Sequence, residues 1–319
     1  LFKSGKRFLG CMVILAGLML AGCGSGEPVK LTLGMMPIAD NLPFWVAEQK
    51  GYFKEEGLNI ELVDFPSALE RDSAFVAKQI DAGVGDMLAV AAMNDSGTKV
   101  KAVAVAQGVN PGENRFAVLS APNSGITTPE QLKNQPIAMS LNTVNEYITD
   151  RLLGDKGLSG DEIKKTAIPK LPLRMEALMN GTVKAATLPD PLATLAEMKG
   201  AHLIVDNTEN PVAQTVFIVR METLEKDTPA IKKIIKAYSR AVADIQSEPG
   251  GYNEILIQKA RVPEELLTGK ESRLKFNYSQ PVPPPAEETE KVLQWMTEHK
   301  LLKNKLSHGD LVDGRVLEK

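Results

Sequence analysis

Five short stretches of this chain set carboxylates, hydroxyls and amides just ahead of an apolar, helix-like run. They are Pro37–Trp45, Pro66–Leu69, Asp86–Met87, Ser140–Thr143 and Pro189–Asp190. Side chains of these types cap helices, whose first N–H groups have no partner within the helix. The same exposed N–H groups suit a small ligand that brings acceptors. Capping accounts for Asp40, Asn41, Ser67 and Asp86 one at a time. It does not account for Ser140, Asn142 and Thr143 together, and Asp190 is held rigidly between Pro189 and Pro191. Phe44 and Trp45 add aromatic surface of the kind that binding pockets use. The candidate ligand contacts are therefore Asp40, Asn41, Phe44, Trp45, Ser67, Asp86, Met87, Ser140, Asn142, Thr143 and Asp190.

The chemistry these residues suit is binding rather than bond-making. The chain has two cysteines, Cys11 and Cys23, and neither lies beyond residue 23. Its histidines, His202, His299 and His308, have no metal-ligand spacing to one another or to cysteine. A phosphate-cradling loop and a nucleophile elbow are both absent. Gly83-Val84-Gly85 is too short for a dinucleotide fingerprint, and Asp86-Met87 breaks it. No catalytic residue, metal or cofactor is expected. The five stretches contain three aspartates but no Lys or Arg. A tightly held oxyanion usually wants a cation as well as N–H donors. That favours a neutral or cationic ligand rich in N–H donors, such as an aminopyrimidine. Arg71, Arg115 and Arg174 lie just outside the stretches and are positioned to reverse this preference.

Strands and helices alternate around these stretches. Strands are expected at 30–36, 59–65, 82–85 and 100–109, with helices through Lys50, Lys78 and Asn94. The run from Val100 to Val109, nearly continuous Val and Ala, reads as a central parallel strand buried on both faces. A second, similar unit starts near residue 120, with strands at 136–140, near 167–168, at 185–188 and at 202–205. Longer amphipathic helices follow, at Pro229–Gln246 and Ala286–His299 among others. This is the rhythm of α/β layers. The expected division is 30–117 with 217–319 as one lobe and 118–216 as the other. Two crossings, near Ala117–Ala121 and Ala213–Phe217, would form a hinge that closes on a ligand.

The first residues specify an address. Lys3, Lys6 and Arg7 precede an apolar run from Phe8 to Leu20, which ends in Leu-Ala-Gly-Cys. That is the layout of a secretory signal, and its last four residues resemble the bacterial lipobox. The resemblance implies removal of residues 1–22, acylation of Cys23, a tether over 23–29 and attachment to a membrane facing the periplasm or exterior. The full chain has 37 Lys+Arg against 40 Asp+Glu, and removing the leader takes away three bases and no acid. The resulting acidic chain has no basic run suited to nucleic acid.

Several segments resemble the bacterial solute-binding family for nitrate, sulfonates, taurine and thiamine pyrimidine precursors. They are Leu-Gly-Met-Met-Pro with Asn41 to Ala47, Gly51 to Leu58, Asp81 to Asp86, Ser140 to Thr143 and Leu188 to Pro191. The resemblance implies the two-lobe type II periplasmic-binding fold, with hinged three-layer αβα lobes. It also implies capture of a small solute between the lobes and delivery to an ABC permease with its ATPase, by a monomer. Two alternatives are kept: an enzyme on the same fold, and a sensor that uses the same cleft.

Overall fold

The computed structural model describes residues 29–211, 215–268, 274 and 276–318. The signal segment, Cys23 and most of the tether lie outside the described residues. So does part of the second expected crossing.

The chain forms two five-stranded sheets. The first unit runs β1 (Val29–Met35), α1 (Leu42–Gln49), α2 (Tyr52–Glu55), β2 (Leu58–Asp64), α3 (Ala68–Val76), β3 (Ala82–Asp86), α4 (Met87–Asp95) and β4 (Val100–Gln107). The second runs β5 (Phe116–Ser120), β6 (Pro136–Met139), α5 (Val144–Gly154), β7 (Lys164–Ala167), α6 (Leu171–Met179), β8 (Ala185–Pro189), α7 (Leu192–Met198) and β9 (His202–Asp206). The chain then returns through β10 (Thr215–Arg220) to α8 (Met221–Ser247), α9 (Asn253–Gln258), α10 (Glu264–Thr268), α11 (Ala286–Glu298) and α12 (His308–Leu311).

Lobe 1 has strand order β2-β1-β3-β10-β4 and lobe 2 has β7-β6-β8-β5-β9. The two orders are the same topology. In each, three parallel strands are followed by one that has just crossed from the other lobe and pairs antiparallel. The expected boundaries at 117 and 217 fall within strands. Phe116 and Ala117 pair inside the lobe 2 sheet, and Thr215 and Val216 inside the lobe 1 sheet. Residues 108–115 lead into β5, and residues 207–211 follow β9. They are tied together by Asn207, whose amide accepts from Phe116 N at 2.7 Å and donates to Asn114 O at 3.0 Å. Glu113, buried, gathers the first crossing by accepting from the backbone of Gly108 and Val109.

One strand departs from its expected place. β4 is neither central nor parallel: it is the edge of its sheet and runs antiparallel to β10. Its apolar residues are buried because distant segments cover that edge, through bridges from Val105 to Val282 and from Ala102 to Val312. An uncovered edge would offer unpaired backbone to any passing strand.

Phe44 lies at the centre of lobe 1, with its ring 5.2 Å from Phe217 and 4.9 Å from Tyr238. Full burial of such a ring stabilises the fold by roughly 1.5–3 kcal/mol. α8 supplies the facing stripe of Ile231, Ile234, Ile235 and Tyr238. It kinks at Asp227, two residues before Pro229, because proline clashes with the preceding turn. α11 belongs to a core cluster that includes Met87, Leu88 and Val90 of lobe 1 and Tyr147, Ile148 and Leu152 of lobe 2.

Candidate functional site

The five predicted stretches follow the carboxyl ends of β1, β2, β3, β6 and β8. In open α/β sheets, ligands bind beyond those ends. Of the four predicted caps, Ser67 and Asp86 cap their helices while Asp40 and Asn41 make no side-chain cap bond, and Thr143 caps α5. Ser67 accepts from Glu70 N, Asp86 from Ala89 N at 2.9 Å, and Thr143 from Asn145 N at 3.2 Å. Ser67 and Asp86 thus have structural work without a ligand. Phe44 and Met87 face the cores rather than the strand ends.

The β1 end is different. Asn41 is fully buried and donates to Met36 O at 2.7 Å, yet its Oδ1 has no partner among the described residues. The indole N–H of Trp45 is likewise buried and unpartnered. Buried polar atoms are nearly always hydrogen-bonded, so one acceptor and one donor here await a partner. Next to them, Asp40 accepts a short hydrogen bond from Thr215, and Asn114 of the first crossing donates to the same hydroxyl at 3.0 Å. Burial pushes the Asp40 carboxyl above the usual aspartate range.

In lobe 2, the β6 end is organised by Arg174, which is fully buried. Its Nε donates to Ile168 O at 2.8 Å, and Nη1 to Asn145 Oδ1 and Thr187 O, both at 2.8 Å. Nη2 donates to Ser140 Oγ at 2.7 Å and Pro169 O at 3.2 Å. All five partners are neutral. Burial alone brings the guanidinium pKa down to about 10, which leaves it charged at neutral pH. Asn142, in a left-handed conformation (φ 58°), donates its backbone N–H to Glu146 Oε2 at 2.5 Å. Thr143 Oγ1 donates to Ser140 O at 2.9 Å.

Asp190 lies in the turn just before α7 and is enclosed by its own partners. Its Oδ1 accepts from Thr194 N and Oγ1 at 2.9 and 2.8 Å and meets Arg115 at 3.4 Å. Arg115 also pairs with Glu197 at 2.5 Å and Asp206 at 2.7 Å. Burial raises the Asp190 pKa despite Arg115.

Arg71 is the lobe 1 counterpart of Arg174. Its Nη1 donates to Val84 O at 2.7 Å, and Nε and Nη2 both reach Asp72 Oδ1, at 2.9 and 2.7 Å. Gly85 makes room for it, since a Cβ there would lie 3.1 Å from Nη2. Neither arginine is among the predicted contacts. The signal was present as a matched spacing: Pro66 to Arg71 and Pro169 to Arg174 are both five residues, and each arginine reaches a carbonyl thirteen residues on. Behind α5, carboxylate oxygens of Glu146 and Asp150 and a nitrogen of His299 lie within 4.8 Å of one another. The Lys165 ammonium bridges the two carboxylates at 2.7 and 2.8 Å and already occupies the space between them.

A two-lobe α/β fold with matched strand-end loops is a periplasmic-binding-protein fold. The chain belongs to the NMT1/THI5-like family, whose model matches residues 39–251. No curated protein matches it. Among solved structures, it resembles the periplasmic aliphatic sulphonate-binding protein SsuA of Escherichia coli at 20% identity and TM-score 0.76, covering 89% of this chain and 97% of that one. It resembles the periplasmic nitrate-binding protein NrtA of Synechocystis PCC 6803 at 13% identity and TM-score 0.72, covering 91% and 88%. The desulfurization enzyme DSZB is similar at 13% identity and TM-score 0.67, covering 91% and 97%.

Proposed function

We propose that this chain is an extracytoplasmic solute-binding protein that captures a small oxyanion, of the sulfonate type, and delivers it to an ABC importer. One observation carries the ligand class. Arg174 is a buried cation with no carboxylate partner among the described residues, and it sits under the Ser140–Thr143 loop. Burying a charge without a counter-charge is costly, and a bound anion offsets that cost. The acidic loops had favoured a ligand rich in N–H donors. Arg174 weighs against that preference, as does the self-contained Arg115–Asp190 cluster, which leaves Asp190 little to offer a cation.

The unpartnered groups of Asn41 and Trp45 support a small ligand with both an acceptor and a donor. The sulfonate- and nitrate-binding proteins named above support the class. Lipid attachment through Cys23 follows from the Leu-Ala-Gly-Cys sequence, and replacement of Cys23 by Ser should release the protein from the membrane fraction. The fold shared with a desulfurization enzyme keeps catalysis as the second reading. Against it, the chain's histidines stand away from the strand-end loops, and its cysteines lie in the leader.

The test is a thermal-shift panel of nitrate, taurine, short alkanesulfonates and an aminopyrimidine, each also assayed for turnover. A true ligand at about 100-fold over Kd adds ~2.7 kcal/mol of stability. Stabilisation by the aminopyrimidine alone would reject the anion class, and turnover would reject the binding role.

A further inference from the structure

Behind the candidate site, a hydrogen-bonded chain runs from α11 to a strand-end loop. Trp295 lies on α11, which packs on both lobes, and His299 is its C-cap. Trp295 Nε1 donates to Asp150 Oδ2 at 3.0 Å, and His299 Nε2 lies 3.3 Å from the same oxygen. Lys165 donates to that oxygen at 2.8 Å and to Glu146 Oε1 at 2.7 Å. Glu146, buried, then accepts from Asn142 N with its other oxygen at 2.5 Å. Aromatic packing fixes the far end: Tyr147 meets Trp295 edge-on at 5.6 Å, and His299 stacks on Trp295 at 4.1 Å. Arg151 holds the Tyr147 hydroxyl at 2.8 Å.

Two features make this more than an ion-pair cluster. First, two donors, Trp295 Nε1 and Lys165 Nζ, converge on Asp150 Oδ2, with His299 Nε2 3.3 Å away, while Asp150 Oδ1 is buried without a partner among the described residues. The carboxylate is thus held through one oxygen, and loss of one of those donors leaves it free to turn. Second, the chain ends on a backbone N–H at a left-handed residue, where Glu146 holds the loop conformation.

We propose that α11 is a clasp that presets the Ser140–Thr143 loop, with Asp150, Lys165 and Glu146 as positioning residues. Loss of the Trp295–Asp150 bond frees Asp150 to turn and loosens Lys165, and Glu146 relaxes its hold on Asn142. The consequence for solute rests on the reading of this loop as part of the oxyanion site. The consequence for the loop itself does not.

Trp295→Phe tests the clasp, because it removes one N–H and keeps the aromatic stack. Two readouts are taken: hydrogen exchange at the Asn142 amide in unliganded protein, and affinity for ethanesulfonate. The expected result is exchange at least about fivefold faster and ethanesulfonate binding at least about fivefold weaker, the lower range of site-to-site coupling. Asp150→Asn should act in the same direction, and Glu146→Gln, which keeps an acceptor for Asn142, should retain more protection than Glu146→Ala. Unchanged Asn142 exchange in both Trp295→Phe and Asp150→Asn overturns the clasp, even if their melting temperatures fall. If wild-type protein ignores ethanesulfonate while Asn142 still responds, the clasp stands and the ligand class falls. If wild-type protein binds and Asn142 does not respond, the reverse holds.

Discussion

Arg71 and Arg174 hold equivalent places in two lobes of the same topology, but among the described residues only Arg71 has a counter-charge. Each follows a strand-end proline by five residues, and each ties its helix to the next parallel strand. Arg71 spends two donors on Asp72, whereas Arg174 spends all five on neutral acceptors. Burial raises the Asp72 pKa, with Arg71 opposing the rise, while nothing offsets the burial of Arg174. The same fold thus supports two electrostatic designs: lobe 1 is closed on itself, and lobe 2 keeps an unspent positive charge beneath a polar loop. On the proposed function, the missing carboxylate rather than the shared geometry would mark the lobe that holds solute.

Removing that charge should have the largest effect. Arg174→Met is expected to weaken oxyanion binding about a hundredfold, since each tenfold is ~1.4 kcal/mol and losing one partner of a buried charge interaction costs about 3–5 kcal/mol. Arg174→Lys keeps the charge without the planar fork and should retain more affinity than Met. Isothermal titration of both separates charge from geometry, and equal affinities for wild type and Arg174→Met would detach the arginine from solute.

A second change makes lobe 1 imitate lobe 2. Asp72→Asn leaves Arg71 without a counter-charge, and oxyanion affinity should rise by roughly tenfold, within the range of buried charge effects. Stability should fall in the same variant, because Arg71 then stays buried and unpaired. Weaker oxyanion binding would show that the lobe 1 pair organises the site instead of silencing it.

Trp45→Phe removes the unpartnered indole N–H. Solute affinity should drop about fivefold, the worth of a hydrogen bond of roughly 1 kcal/mol, while the unliganded protein melts no lower. A matched fall in both would give the N–H to the fold.

The smallest effect concerns Asp40. Burial raises its pKa above 3.8, so the native state favours the protonated form. That stabilisation is present below the unfolded value and lost as pH rises through the folded one. Asp40→Asn mimics the protonated group and should melt slightly higher at pH 7. The advantage should vanish as pH falls below about 3.8, the ordinary aspartate value. A gain that persists in acid would assign it to packing.

Local patterns made the alternation of elements and the helix caps at Ser67 and Asp86 legible in the sequence, because each cap is decided within four residues. β4 was misread because its burial is supplied by Val282 and Val312, about two hundred residues away. Phe44 and Trp45 are neighbours on one helix, and sequence could not say that one meets Phe217 while the other is left with a bare N–H. Arg71 and Arg174 were noticed only as lying outside the loops. An arginine within a helix looks solvent-facing until the strand it reaches is known.

The return of β10 into the first sheet also governs the order of assembly. Lobe 2 is one continuous stretch from β5 to β9 and holds every strand of its own sheet. Lobe 1 lacks a middle strand until all of lobe 2 has been made, because β10 lies between β3 and β4. The amino-terminal third must therefore wait, incomplete, for a segment more than a hundred residues later. A chain built this way stays unfinished at its leading end while it is being made, and sets hard only after the last strand arrives.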